Sequence, residues 1–322
     1  MAASPAARQR LATRSPRRWL GGALALLVAS AAGAATVPAE FTRGDVVLIV
    51  APHPDDETLC CAGVIQRARA AGARVAIVWL TSGDAFELDA IVVEHRFRPG
   101  KAGLERLAIE RMAEARAAVG LLGVAAGDEY FLGYPDRGLN RLLADHYYQS
   151  YRSHYTGAES VPYAGALSPG AAYQGRSLEH DLATVIERVQ PTLVLAPTPL
   201  DAHPDHRATA ELVIRLMGGR SELGRVGWWI VHTSHHLPGV HQWPVPRGRH
   251  PELALVPPRT AALTWRAWEL SAAELAGKER ALRAHRTQME VMAPFLLAFV
   301  RRNELYADEP LPAEAEMPTL VQ

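Results

Sequence analysis

The chain alternates short apolar runs of strand length with longer stretches whose apolar residues recur at helical spacing. Asp45-Val-Val-Leu-Ile-Val50 is nearly continuous in its apolar character, as a strand covered on both faces requires. It ends at Pro52, and Glu57 to Ala71 then reads as a helix closed by Gly72. Arg74 to Leu80 is a second buried strand, leading into the turn Thr81-Ser-Gly-Asp84. Strand, helix and strand in so short a span make a βαβ unit, which predicts a parallel sheet. Further on, the pattern predicts a helix from about Leu104 to Leu122 and a short strand near Glu129–Leu132. A helix over Leu178–Val189, a buried strand over Pro191–Ala196 and a helix from His203-Pro204 to Met217 follow. Gly227–Val231 reads as another strand, Leu253–Val256 as a candidate for one more, and about 271–286 and 290–302 as two closing helices.

Residues 140–176 are rich in Tyr, Gly, Pro and Ser and weakly periodic, and a connection of that length is more often functional than idle. No repeat occurs, and no shift of composition inside 40–305 marks a linker. The expected fold class is α/β: one doubly wound domain over 40–306, a mostly parallel sheet with helices on both faces, and a loose tail at 307–322.

Composition changes this picture at one end. The formal net charge of the 322 residues is zero, but residues 1–34 hold five arginines and no acid. Beyond them 29 basic residues face 34 acidic ones, so the body is mildly acidic and a nucleic-acid partner is not expected. Arg17-Arg18, the apolar run Trp19–Ala32 and the small-x-small Ala32-Gly33-Ala34 predict a cleaved export signal over 1–34, with a retained anchor as the alternative. The expected location is therefore periplasmic or secreted, with no membrane span beyond that possible anchor. Cys60 and Cys61 are the only cysteines and are adjacent, so no disulfide framework is expected.

Two segments carry the candidate chemistry, each just past a buried strand, where open α/β sheets bind ligands. In His53-Pro-Asp-Asp-Glu57 two adjacent carboxylates repel unless a cation lies between them, and a histidine three residues before Asp56 points to a metal. In His203-Pro-Asp-His206 the proline suits the first helical position, and residues three apart share a helix face, so both imidazoles can look into one cavity. Asp205 is placed to orient a histidine. Two histidines and one carboxylate leave an open position, the arrangement of catalytic zinc. Asp55 is then the candidate general base, and one histidine stays free to polarise or protonate the substrate.

The paired motifs resemble those of the LmbE-like, or PIG-L, de-N-acetylases. The resemblance runs over most of 45–306. It takes in Thr81-Ser-Gly-Asp84, Arg111-Met-Ala-Glu114, Phe131-Leu-Gly-Tyr-Pro-Asp136 and the segment from Lys278 through His285-Arg-Thr-Gln288 to Glu304. It implies a Rossmann-like single domain that hydrolyses the N-acetyl amide of an N-acetylglucosamine-type sugar conjugate. By it, His53, Asp56 and His206 hold Zn2+, with Fe2+ as the other candidate. Asp55 is the base, His203 the acid or oxyanion partner tuned by Asp205, and Arg111 and Asp136 the substrate-side residues. The chain departs from some members in carrying Asp201 where they have a tyrosine, two residues before the His203 motif.

Two rivals fit the same residues. A metal-dependent phosphoesterase would need a second ion and more carboxylates. A non-catalytic glycan-binding module would need the site to be inert. Histidines 232, 235, 236, 241 and 250 read as pocket rim or loop, and the tyrosines of 140–176 as loop anchors or sugar-stacking rings.

Overall fold

The computed structural model describes residues 37–86, 100–218, 225–233, 243–258 and 263–307. Its core is a seven-stranded sheet: β1 (Val46–Ala51), β2 (Arg74–Thr81), β3 (Glu129–Tyr134), β4 (Leu193–Pro197), β5 (Arg225–Trp229), β6 (Trp265–Glu269) and β7 (Asn303–Ala307), in the order β3-β2-β1-β4-β5-β7-β6. The first five of that order run parallel, with Ile49 opposite Ile77 on one side and Leu195 on the other. β7 and β6 close the edge antiparallel. The α/β, mostly parallel sheet expected from the sequence is present.

The central strands are covered on both faces, which is why they read as continuous apolar runs: Val47–Val50 and Val75–Leu80 are fully buried. Helices α1 (Asp56–Ala70), α2 (Gly100–Leu121), α3 (Leu139–Ala144), α4 (Gly175–Val189), α5 (Pro204–Gly218), α6 (Ala272–Ala284) and α7 (Arg286–Leu296) accompany it. Pro204 opens α5, as its missing N–H and fixed φ allow. Ser271 and Glu274 cap α6 reciprocally, so that helix starts where its sequence says it should. α7 breaks helical geometry at Met292, two residues before Pro294, so the single helix expected to 302 ends early.

Three expectations are corrected. Leu253–Val256 forms no strand; the strand at that edge is β6, whose Trp-Arg-Ala-Trp-Glu alternation begins nine residues past Val256. β7 was not expected as a strand, because its buried residues include the polar Asn303 and Glu304. Cys60 and Cys61 are joined as a disulfide despite being neighbours: both lie buried in the first turns of α1, with their Cα atoms 3.7 Å apart. Within 140–176, α3 and one Ser160–Ala172 bridge break up an otherwise irregular segment. Tyr163 and Tyr173 anchor it from within, donating to Asp84 Oδ2 (2.8 Å) and the Gly133 carbonyl (3.3 Å). The export signal expected over 1–34 and the tail at 308–322 lie outside the described residues. Among those described, no helix is long and apolar enough to cross a membrane.

Candidate active site

β1 and β4 pair directly, so the segments that follow them, 52–57 and 198–206, emerge side by side at the carboxyl edge of the sheet. Both candidate motifs are thereby brought together. Asp55 occupies the N-cap of α1 with φ 142°, a conformation that L-residues avoid and that costs about 1–3 kcal/mol. Surrounding bonds hold it there. Its carbonyl accepts the amides of Thr58 and Leu59, and its own amide donates to Glu57 Oε2 (3.0 Å). Glu57 is fixed in turn by Trp79 Nε1 (2.8 Å), Thr58 Oγ1 (2.6 Å) and His285 Nε2 (3.3 Å). The Asp55 side chain faces a cavity of about 280 Å3, where Gln288 Nε2 donates to its Oδ2.

Asp56 Oδ2 lies 3.2 Å from His53 Nδ1 and 3.2 Å from His206 Nε2. His206 is fully buried in the first turn of α5, with Nδ1 3.1 Å from Asp201 Oδ2. The Asp201 carboxylate also accepts the amides of His203, Val231 and His232. It therefore links α5 to the end of β5 while fixing the His206 ring. With Nδ1 held by Asp201, the other nitrogen is turned towards Asp56, and that Nε2 is buried without a well-formed hydrogen bond. Ligand atoms of His53, His203 and His206 lie within 4.8 Å of one another, as do those of Asp56, His206 and His232. The donor set fits a zinc-type ion: imidazole nitrogens and a carboxylate around one point.

The electrostatics agree. Burial alone would suppress the His206 cation, but Asp201 and Asp56 outweigh it and push the ring up to about 9. Burial is likewise overcome at His53, which Asp136, Asp205 and Asp56 hold well above the ordinary imidazole range. The cluster is thus rich in negative charge and favours a cation at its centre. Asp55 moves the other way from its neighbour: burial and Asp56 push it up to about 6, while His206 and His53 hold Asp56 well below the usual carboxylate range. Burial and the adjacent His53, His206 and His232 keep His203 well below its ordinary value, so it stays neutral.

The remaining expected residues fall in less expected places. Asp205 was expected to tune His203 with its carboxylate. Instead its Oδ2 lies 3.3 Å from His53 Nε2, and its carboxylate caps the amides of Arg137 (2.6 Å) and Leu139 (3.1 Å). Only its backbone amide meets His203, donating to Nδ1 (3.2 Å), which fixes that ring with its proton on Nε2. Asp136 sits at the cavity, Oδ1 3.3 Å from His53 Nε2 and Oδ2 accepting the Ala85 amide. Arg111 borders the cavity too, but its two terminal nitrogens hold the carbonyls of Gly83 (2.9 Å) and Pro54 (3.0 Å). It braces the loops more than it offers a free guanidinium. Gly83, at φ 72°, has to be glycine, because a β-carbon there would occupy the space of the Arg111 guanidinium.

His53, Asp136 and Asp205 also place ligand atoms within 4.8 Å, the arrangement a second ion would need. Backbone amides already engage both carboxylates, so the two-metal reading gains little from them. Sequence reasoning missed Asp201, Glu57, His285 and Gln288 as parts of the site. His232 does line the pocket, as a rim residue stacked on Phe295 at 5.9 Å. Histidines 235, 236 and 241 lie outside the described residues, and His250 pairs with Glu252 on the surface.

Residues 48–217, a little over half of the chain, match the family described as PIG-L, GlcNAc-PI de-N-acetylase. A 1D-myo-inositol 2-acetamido-2-deoxy-alpha-D-glucopyranoside deacetylase of Corynebacterium jeikeium is 27% identical over 281 residues, covering 76% of this chain and 77% of that protein. Its counterpart in Nocardia farcinica is 29% identical over 292 residues, covering 83% and 88%. Among solved structures, a triple mutant of a deacetylase of teicoplanin biosynthesis superposes with a TM-score of 0.51 at 16% identity, covering 81% of this chain and 96% of that one. The A40926 pseudoaglycone deacetylase does so at 0.50 and 17%, covering 82% and 96%. These two structural likenesses are likenesses of fold.

Proposed function

The chain belongs to the PIG-L family of de-N-acetylases, and from that premise we propose that it hydrolyses the N-acetyl amide of an N-acetylglucosamine-type sugar conjugate. The observation that carries the reading is the convergence of His53 and His206 on Asp56 Oδ2, with Asp55 beside it on the cavity wall. We assign His53, Asp56 and His206 as the metal ligands and Zn2+ as the ion, with Fe2+ as the alternative. The mixed imidazole and carboxylate donors support that assignment, and the buried His206 Nε2 makes no well-formed hydrogen bond. When bound, such an ion supplies Lewis acidity and makes water acidic enough to attack near neutral pH.

The chain's own residues do the rest. Asp55 takes the proton of the attacking water; at about 6 it is ionised at neutral pH yet basic enough to work. Gln288 engages Oδ2 and leaves the other oxygen for that water. As oxygen bonds to the amide carbon, His203, neutral and protonated on Nε2, is the donor to the developing oxyanion. The carbon–nitrogen bond then breaks, Asp55 returns its proton to the leaving amine, and acetate departs. Asp205 and Asp136 steady His53 throughout. Acetate release from a panel of N-acetylglucosamine conjugates by metal-loaded protein tests the reading; no release from any of them would reject it.

Export belongs to the same proposal. The arginines of 1–34, the apolar run Trp19–Ala32 and Ala32-Gly33-Ala34 support it. Recovery from the periplasm at a mass reduced by the signal segment is the expected result, and full-length protein in the cytosolic fraction would contradict it.

A further inference from the structure

Four imidazoles lie close together at the active-site cavity, and the proposed chemistry uses three of them, His53, His203 and His206. The fourth, His232, stands three residues past β5, with its ring centroid 4.8 Å from that of His206 and 5.2 Å from that of His203. We propose that His232 is a further ligand of the metal ion held by His53, Asp56 and His206. This rests on the metal assignment above.

The placement of donor atoms carries the inference. One ligand atom each from Asp56, His206 and His232 lie within 4.8 Å of one another, and two of these residues are already assigned to the ion. His53, His203 and His206 meet the same condition, but His203 is otherwise engaged. Its Nδ1 accepts the Asp205 amide (3.2 Å), which leaves the proton on Nε2 and no free lone pair on the ring. Among the described residues nothing hydrogen-bonds either ring nitrogen of His232, so no protein partner imposes a tautomer on it. Either nitrogen can present its lone pair to the cavity that the ring lines.

The backbone holds this ring where a ligand is needed. The His232 amide donates to Asp201 Oδ2 (3.0 Å), and its carbonyl accepts the Ala202 amide (2.9 Å). The same Asp201 oxygen lies 3.1 Å from His206 Nδ1, so one carboxylate fixes both histidines relative to each other. That carboxylate stands where some family members carry a tyrosine. It has the acceptor capacity for the His206 ring and for the amides of Val231 and His232 together, which a phenol oxygen lacks. The His232 ring also stacks on Phe295, with the two planes 14° apart, which limits its rotation. A donor ordered in this way loses little freedom when the ion binds. A fourth protein donor does not shut out water, because zinc accepts five ligands as well as four.

The test uses zinc-loaded wild type and His232→Phe, a variant that keeps the aromatic contact with Phe295 and removes the nitrogens. X-ray absorption at the zinc edge is expected to give three imidazole ligands per ion in wild type and two in the variant. Chelator competition is expected to show zinc affinity about 10- to 100-fold weaker in His232→Phe. Free imidazole added to His232→Ala is expected to recover part of that loss. Two imidazoles in wild type, or equal zinc affinity in wild type and His232→Phe, would overturn the assignment. Should the variants fail to fold, the imidazole count of wild type decides alone. His206→Ala separates this inference from the reading beneath it. If that variant holds zinc as tightly as wild type, the metal assignment itself fails and His232 falls with it. If it loses zinc while His232→Phe binds at full affinity, His232 alone is rejected.

Discussion

Helix α1 carries two clusters of buried charge that differ in how their valences are met. At its start, Asp55, Asp56, His53 and Asp136 line a cavity with His206 and Asp205 buried behind them, under backbone strain and with His206 Nε2 lacking a well-formed hydrogen bond. Along its middle, Glu304 of β7 and Lys278 of α6 form a pair (2.9 Å) that is entirely closed. Lys278 Nζ also donates to the Leu59 carbonyl, and Glu304 accepts from the amides of Gly63 and Val64 and from Tyr306 Oη. Both clusters are deeply buried, so burial of charge does not separate function from structure. Adjacent like charges lining an opening do.

Variants should respond accordingly. His206→Ala removes a proposed ligand and should cut acetate release by roughly three orders of magnitude or more while the protein stays folded, read by turnover alongside circular dichroism. Lys278→Met should do the reverse. It leaves Glu304 buried and unpaired and should cost about 3–5 kcal/mol in denaturant unfolding, with turnover per folded molecule kept. Ion removal by a chelator should abolish turnover reversibly and lower stability by about 2.7 kcal/mol relative to protein held at a hundredfold excess of metal over its dissociation constant. The Lys278 cluster should not register that treatment. Asp201→Asn replaces the carboxylate that orients His206 and should weaken metal affinity about 10- to 100-fold in a chelator competition. Gly63→Ala should cost about 1–3 kcal/mol of stability and leave turnover per folded molecule unchanged, because a β-carbon there meets Leu270 and the Glu304 carboxylate. Unchanged turnover in His206→Ala, or unchanged stability in Lys278→Met, would break the contrast.

Much of this was legible in the sequence, for local reasons. The strands β1, β2 and β4 are continuous apolar runs, and the two His-Pro-Asp motifs sit immediately after two of them. Their convergence needed only the rule that ligands bind past the carboxyl ends of parallel strands. What stayed hidden depends on partners remote in the chain. Gln288 reaches Asp55 across 233 positions, and His285 reaches Glu57 from the end of the helix expected over about 271–286, where the sequence assigned it no role. Asp201 looked like a departure from a tyrosine, yet its carboxylate holds the His206 ring and three amides. Asp205 was matched to the wrong histidine because its neighbour in sequence is not its neighbour across the site. β7 escaped notice because buried Asn303 and Glu304 are satisfied by tertiary partners that hydrophobic periodicity does not register.

The central claim is that one metal ion at His53, Asp56 and His206 works with Asp55 as the base. It is tested most directly by measuring metal content and acetate release on the same preparations of wild type and Asp55→Asn. The account predicts one ion per chain in both proteins and turnover at least about 100-fold lower in the variant. Two tightly bound ions per wild-type chain, or near-full turnover in Asp55→Asn, would contradict it.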